Sequence, residues 1–146
     1  MATRDKMAIL TTAALPVIEG DTLQYRHLFR ELLENALRFC RRDRRTEIHI
    51  GAQPLTGKEK SSYGFVSGGD YFKIVCRDNG IGFRQEYAEK IFRPFVRLHG
   101  KSEYPGNGIG LALCRSIVDN HRGVIYAESQ ENEGARFIIL LPQTVN

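Results

Sequence analysis

The hydrophobic positions of this chain change period several times, and each change marks an element. From Thr22 to Cys40 the apolar residues Tyr25, Leu28, Phe29, Leu32, Leu33, Ala36, Leu37 and Cys40 hold one helical stripe, which predicts an amphipathic helix. Asp21 or Thr22 can cap its start. Thr46 to Ala52 alternates instead, with Ile48, Ile50 and Ala52 against Glu47 and His49, the pattern of a half-buried strand. Tyr71 to Arg77 is a mostly apolar run that predicts a buried strand. Gln85 to Ile91 predicts a short helix. A second longer helix opens in Gly106 to Leu111 and runs to about Asn120, with Ile109, Ala112, Leu113, Ser116 and Ile117 on its inner side. Val124 to Glu128 and Arg136 to Leu141 predict two closing strands around a polar turn, Gln130 to Gly134. Ala8 to Thr12 and Pro16 to Ile18 read as short strands, and Gln53 to Asp70, rich in Gly, Ser and Lys, as a long hairpin loop. Phe92 to Gly106 carries Gly100, Pro94 and Pro105 and has no clear period. A segment of that kind in a small domain is commonly functional or mobile.

At 146 residues the chain has the length of one domain with a proper core. Its 42% hydrophobic and 26% charged residues are those of a soluble globular protein, and no apolar run approaches the roughly 20 residues of a membrane span. The polar start, Met1 to Met7, lacks the apolar centre of a signal peptide. Cys40, Cys76 and Cys114 are odd in number and widely spaced. They read as three reduced thiols in a cytoplasmic protein. The net charge of +4 owes much to Arg38, Arg41, Arg42, Arg44 and Arg45. With no interleaved aromatics for stacking on bases, these read as a solvated helix end rather than a nucleic-acid patch.

Three stretches carry chemistry. Asp78-Asn79-Gly80-Ile81-Gly82 ends a strand with an acid and two glycines. A carboxylate there accepts hydrogen bonds, which suits a ligand edge bearing an amine, such as adenine, and opposes a carbonyl at that place, such as guanine's. Bare backbone at the glycines would let a flat ligand come close. The alternative is a plain Asn-Gly hairpin turn. On the first long helix, Glu31, Asn35 and Arg38 fall at i, i+4 and i+7, a line that faces either water or a magnesium–phosphate group. The glycine-rich entry Gly106, Gly108, Gly110 into a helix start is a ready anion site, and alone a weak signal. A magnesium nucleotide accounts for all three together. Mg²⁺ takes oxygen ligands and needs few from protein, so the Asn35 amide would suffice. Arg38 would pair with phosphate, Phe39 would lie against the base, and Gly108 and Gly110 would offer N–H groups.

With those residues in place, the chain resembles the ATP-binding catalytic domain of sensor histidine kinases, within the gyrase, chaperone, histidine-kinase and mismatch-repair ATPase superfamily. Leu28 to Phe39 is similar to the family's asparagine box, Asp78 to Gly82 to its first glycine box, Ile91 to His99 to its phenylalanine box, and Gly106 to Ala112 to its second glycine box. The run Arg97 to His99 followed by Glu103 to Gly106 is most similar to the phytochrome-like and PAS-linked branch. The resemblance covers about residues 7 to 142. It implies a two-layer α/β sandwich of the Bergerat type, with a mixed, mostly antiparallel sheet of about five strands and about three helices on one face. It implies ATP and Mg²⁺ as ligands. Asn35 would hold the metal and Asp78 the adenine amine, with Gly80, Ile81 and Gly82 beside the base. Arg38 and Arg97 would meet phosphate, and Gly106, Gly108, Ile109, Gly110 and Leu111 the phosphate end. Phe92, Phe95 and His99 belong to the same binding set, and about Arg93 to Asn107 would form a lid, disordered or displaced without ligand.

Three positions depart from the family pattern. Glu31 stands where many histidine kinases carry Asn; in the hydrolysing branches an acid there activates water. Asn107 replaces a usual Thr and Arg122 a usual Gly. The acceptor histidine of such kinases lies on a separate dimerising helical hairpin, and none fits before Leu15. His27 echoes an acceptor motif but falls inside the asparagine-box helix; His49 and His121 read as structural. The expectation is therefore a single domain over residues 1–146, monomeric, that binds ATP and serves an acceptor-histidine domain and, indirectly, a response regulator. The alternatives are an ATP hydrolase with Glu31 as general base and a non-catalytic nucleotide-binding module.

Overall fold

The computed structural model describes residues 8–65, 69–94 and 109–144. Five strands form one sheet in the order β1 (Ala8–Thr12), β2 (Thr46–Pro54), β3 (Tyr71–Asp78), β5 (Gly134–Pro142), β4 (Val124–Gln130). β1 runs parallel to β2 and every other pair is antiparallel, so the sheet is mixed and mostly antiparallel, as expected. Two long helices, α1 (Thr22–Arg38) and α3 (Gly110–Asn120), pack on one face. Alternation along β5 divides the core. Phe137, Ile139 and Leu141 join Leu28, Leu32, Ala36, Cys114, Ile117 and Val118 under the helices, while Ile138 and Leu140 point to the other side.

That other side is also covered, and here the structure corrects the sequence reading. Gln53 to Asp70 is not wholly loop. β2 extends to Pro54, and Gly57–Ser62 forms a short helix, α2, held by a reciprocal capping box between Thr56 and Glu59. α2 buries none of its own residues, but it delivers Tyr63 and Phe65 to the outer face. Phe65 stacks on Tyr71 at 4.0 Å between ring centroids, and the Tyr63 and Tyr126 hydroxyls hydrogen-bond at 2.9 Å.

Other boundaries shift for identifiable reasons. α1 starts as predicted, with Asp21 accepting from the Gln24 amide, but it stops at Arg38. The arginines from Arg41 onward therefore lie beyond the helix. Arg41 hydrogen-bonds Asp43 and the Asn132 carbonyl instead of simply facing solvent. Pro16–Ile18 is not a strand; Pro16 has no N–H to give a ladder. Gln85 to Ile91 holds two separate 3₁₀ turns, Gln85–Tyr87 and Lys90–Phe92, rather than one helix. The closing strands are longer than predicted and meet at a tight turn with Asn132 at φ 64°. α3 ends at Asn120 with His121 as its C-cap, and Arg122 then adopts φ 60°, the left-handed conformation where glycine is at ease. Among the described residues no helix is long and apolar enough to cross a membrane.

Candidate functional site

α1 organises the site by touching both glycine segments from one side. At its C-terminal end, the Phe39 N–H closes on the Asn35 carbonyl at 3.1 Å, and the Phe39 carbonyl accepts from the Ile81 amide at 2.9 Å. Eight residues earlier, the Glu31 carboxylate lies against Gly110, the first residue of α3; a Cβ on Gly110 would overlap it. At 1.5 Å per helical residue, the two contacts are about 12 Å apart along the axis. Glu31, Asn35 and Arg38 are all half-buried, so the polar line is not a bare solvent face.

The Asp78 turn is built tightly. The Asp78 carboxylate accepts from the Gly80 amide at 2.8 Å. Burial pushes its pKa above the ordinary 3.8, opposed by hydrogen bonds from the Gly80 and Ala135 amides. Gly80 is buried, and the volume of its missing Cβ is taken by the Phe39 carbonyl and Asp78 Oδ1. At Gly82, φ 63°, that volume is taken by the Gln130 and Gly134 carbonyls and Ser129 Oγ. The glycines thus admit the protein's own chain, where the sequence suggested an opening for a flat ligand.

Sequence reasoning missed the braces behind this turn. Asn79 clasps β2, its Oδ1 accepting from the Glu47 amide at 2.9 Å and its Nδ2 donating to the Arg45 carbonyl at 3.0 Å. Ser129 Oγ accepts from the Phe83 amide and donates to the Gly134 carbonyl, at 2.8 and 2.7 Å. Gln85 accepts from the Ser129 amide at 2.8 Å. A side chain with both a donor and an acceptor was the only signal available for Asn79.

Arg38 carries the one buried side-chain polar atom without a hydrogen-bond partner among the described residues, its Nε. Its guanidinium sits 5.6 Å from the Phe39 ring centroid. An orphaned guanidinium nitrogen is costly unless something anionic meets it. Phe92 is in the core, edge-on to Phe137 at 6.1 Å and capped by the Arg115 guanidinium at 4.3 Å. Ile109 is partly exposed and Leu111 packs against the core. Phe95, Arg97, His99, Gly106, Gly108, Asn107 and most of the expected lid lie outside the described residues. His121 is structural, as expected: it is buried, stacks on Tyr25 at 4.3 Å, accepts from the Asp21 amide and bonds the Ile117 carbonyl.

α1, joined at its C-terminal end to an acid-bearing glycine turn and near its middle to the glycine-led start of α3, lies with them on one mixed sheet and makes a two-layer α/β sandwich. The chain belongs to the histidine kinase-, DNA gyrase B- and HSP90-like ATPase family, whose model matches residues 20–145. It is 38% identical over 135 residues to cyanobacterial phytochrome A of Nostoc sp., covering 92% of this chain and 16% of that protein. It is 37% identical to the alginate biosynthesis sensor protein KinB of Pseudomonas aeruginosa, over 88% of this chain and 19% of KinB. The chain therefore spans less than a fifth of the length of either relative. Among solved structures, the mycobacterial sensor histidine kinase MprB superposes with a TM-score of 0.75 at 19% identity, covering 97% of this chain and 84% of the other. ShkA, solved full-length in complex with AMPPNP, superposes with a TM-score of 0.72 at 20% identity, over 95% of this chain and 26% of ShkA. These likenesses establish the same fold.

Proposed function

We propose that this chain is the ATP-binding catalytic domain of a two-component sensor histidine kinase. It would hold ATP while the γ-phosphoryl group passes to a histidine nitrogen on a dimerisation domain, leaving ADP, with a response regulator served afterwards. The observation that carries this reading is the double attachment of α1, through Phe39 to Ile81 and through Glu31 to Gly110, with the buried Arg38 Nε unpartnered between them. The kinship with sensor proteins and the ATP analogue bound to ShkA support it.

In this assignment Asp78 accepts the adenine amine, with Gly80, Ile81 and Gly82 beside the base and Phe39 against it. Arg38 meets the phosphates. Gly110, Ile109 and Leu111 belong to the phosphate end. Arg97, Phe95, His99, Gly106 and Gly108 are assigned to the same site by sequence similarity. Asn35 would give Mg²⁺ one amide oxygen; the metal takes its other ligands from phosphate and water and spreads the phosphate charge. The amide oxygen of Asn35 is a hard donor of the kind Mg²⁺ takes. We assign the domain to the cytoplasm, where ATP is.

Titration calorimetry with Mg-ATP tests the proposal through Asn35→Ala, which should weaken the Mg²⁺-dependent part of binding. A full Mg²⁺ response in that variant would remove Asn35 from the role. A second reading, hydrolysis with Glu31 as general base, draws on the placement of Glu31 one turn before Asn35 on the same face. Steady phosphate release by the isolated chain, abolished by Glu31→Gln, would favour it.

A further inference from the structure

Glu31 is an acid placed at the end of the site where phosphates are expected. Its one ion-pair partner among the described residues is His27, at 3.9 Å and only when that imidazole is protonated. The carboxylate rests instead on Gly110, where the start of α3 concentrates positive helix-end potential. α3 has no acidic residue in its own first turn. Glu31 thus brings a negative charge to the helix start. Its field also reaches Cys114, whose thiol is pushed up to about 12 by burial first and by Glu31 second. Gly110 is matched to this contact, because any Cβ there would displace the carboxylate. Arg38, the nearest cation on the same helix line, does not pair with Glu31 and keeps its Nε buried and unpartnered.

We infer that Glu31 is a selectivity residue that sets the site against metal-free triphosphate and in favour of the metal-bound form. The inference rests on the nucleotide reading proposed above. A bare triphosphate entering beside Gly110 meets a carboxylate that already holds the helix start, and like charges at short range repel. A metal-bound triphosphate arrives with much of its charge offset. Glu31 can then stay where it is. The residue acts on the phosphate end alone, so the effect scales with the number of phosphates.

The test is calorimetric titration of the purified chain and of its Glu31→Gln variant with ATP and AMP, each with excess EDTA and with excess Mg²⁺; circular dichroism confirms that both proteins fold. Glu31→Gln is expected to raise affinity for metal-free ATP by about tenfold. It should change affinity for Mg-ATP by no more than about twofold and leave AMP unchanged. Wild-type binding of ATP with no gain for the metal-free form in the variant overturns the inference and leaves the nucleotide reading standing. A gain of equal size for AMP also overturns it, since the effect would then not lie at the phosphate end. Failure of the folded wild-type chain to bind ATP with or without Mg²⁺ defeats the nucleotide reading itself, and this inference with it.

Discussion

The carbonyl of Phe39 accepts a 2.9 Å hydrogen bond from the amide of Ile81, and this bond joins the end of α1 to the Asp78 turn. It requires a close approach that only glycine at position 80 permits. Gly82 next to it adopts φ 63°, with the Gln130 carbonyl in the space of a Cβ. Gly82→Ala should therefore destabilise the fold by about 1–2 kcal/mol from backbone conformation, with overlap adding to this. Urea denaturation measures the loss. A variant as stable as wild type would mean that the turn relaxes freely and is not a fixed wall.

Asp78 is held against its own charge. Its folded pKa lies above the ordinary 3.8 because burial penalises the ionised form more than the Gly80 and Ala135 amides compensate. A raised acid contributes stability that is whole below the unfolded pKa and is lost as pH rises through the folded one. At neutral pH the ionised carboxylate is thus a standing cost. Asp78→Asn should match or exceed wild-type stability at pH 7, with the advantage fading as pH falls through the raised folded pKa and gone below about pH 4. The same change should weaken ATP binding by about 10- to 100-fold, the worth of a hydrogen bond to a charged acceptor. Thermal unfolding across pH, paired with ATP titration, checks both halves.

Arg115 clamps the Lys90–Phe92 turn to α3. Its guanidinium covers the Phe92 ring at 4.3 Å, donates to the Ile125 carbonyl at 3.2 Å and pairs with Glu89 at 2.7 Å. Glu89 is mostly exposed, so the ion pair itself is worth little. Arg115→Ala should cost about 1–2 kcal/mol through lost packing and the abandoned carbonyl, and Glu89→Ala less than about 0.5 kcal/mol. Equal losses in the two variants would show that the ion pair, not the ring contact, carries the clamp.

Arg122 occupies a left-handed position, φ 60°, just after α3. Arg122→Gly should relieve this conformation and raise stability by up to about 1 kcal/mol. A fall in the melting temperature would show that the arginine side chain contributes more than its backbone conformation costs.

Much of this was legible in the sequence because burial imposes a period. Leu28, Leu32 and Ala36 of α1 are buried, as the stripe required, and β5 falls where Arg136 to Leu141 predicted a closing strand. What escaped was structure that buries nothing of its own. α2 hides in a Gly-, Ser- and Lys-rich run, and only Thr56 and Glu59, three apart, marked its start. Strand order was also hidden, since β1 is exposed along its length and its parallel pairing with β2 leaves no alternation to read. At the site, Asp78 and the glycines were visible as letters, but their reason was not. Gly80 and Gly82 are shaped by Phe39 and Gln130, residues distant in sequence.

Calorimetric titration with Mg-ATP and Mg-GTP side by side tests the proposed pairing of the Asp78 carboxylate with the adenine amine. ATP should bind in the micromolar-to-millimolar range and GTP more weakly by about tenfold or more, as expected for a carbonyl facing the carboxylate. Equal affinities for the two nucleotides, or a folded chain that binds neither, would contradict it.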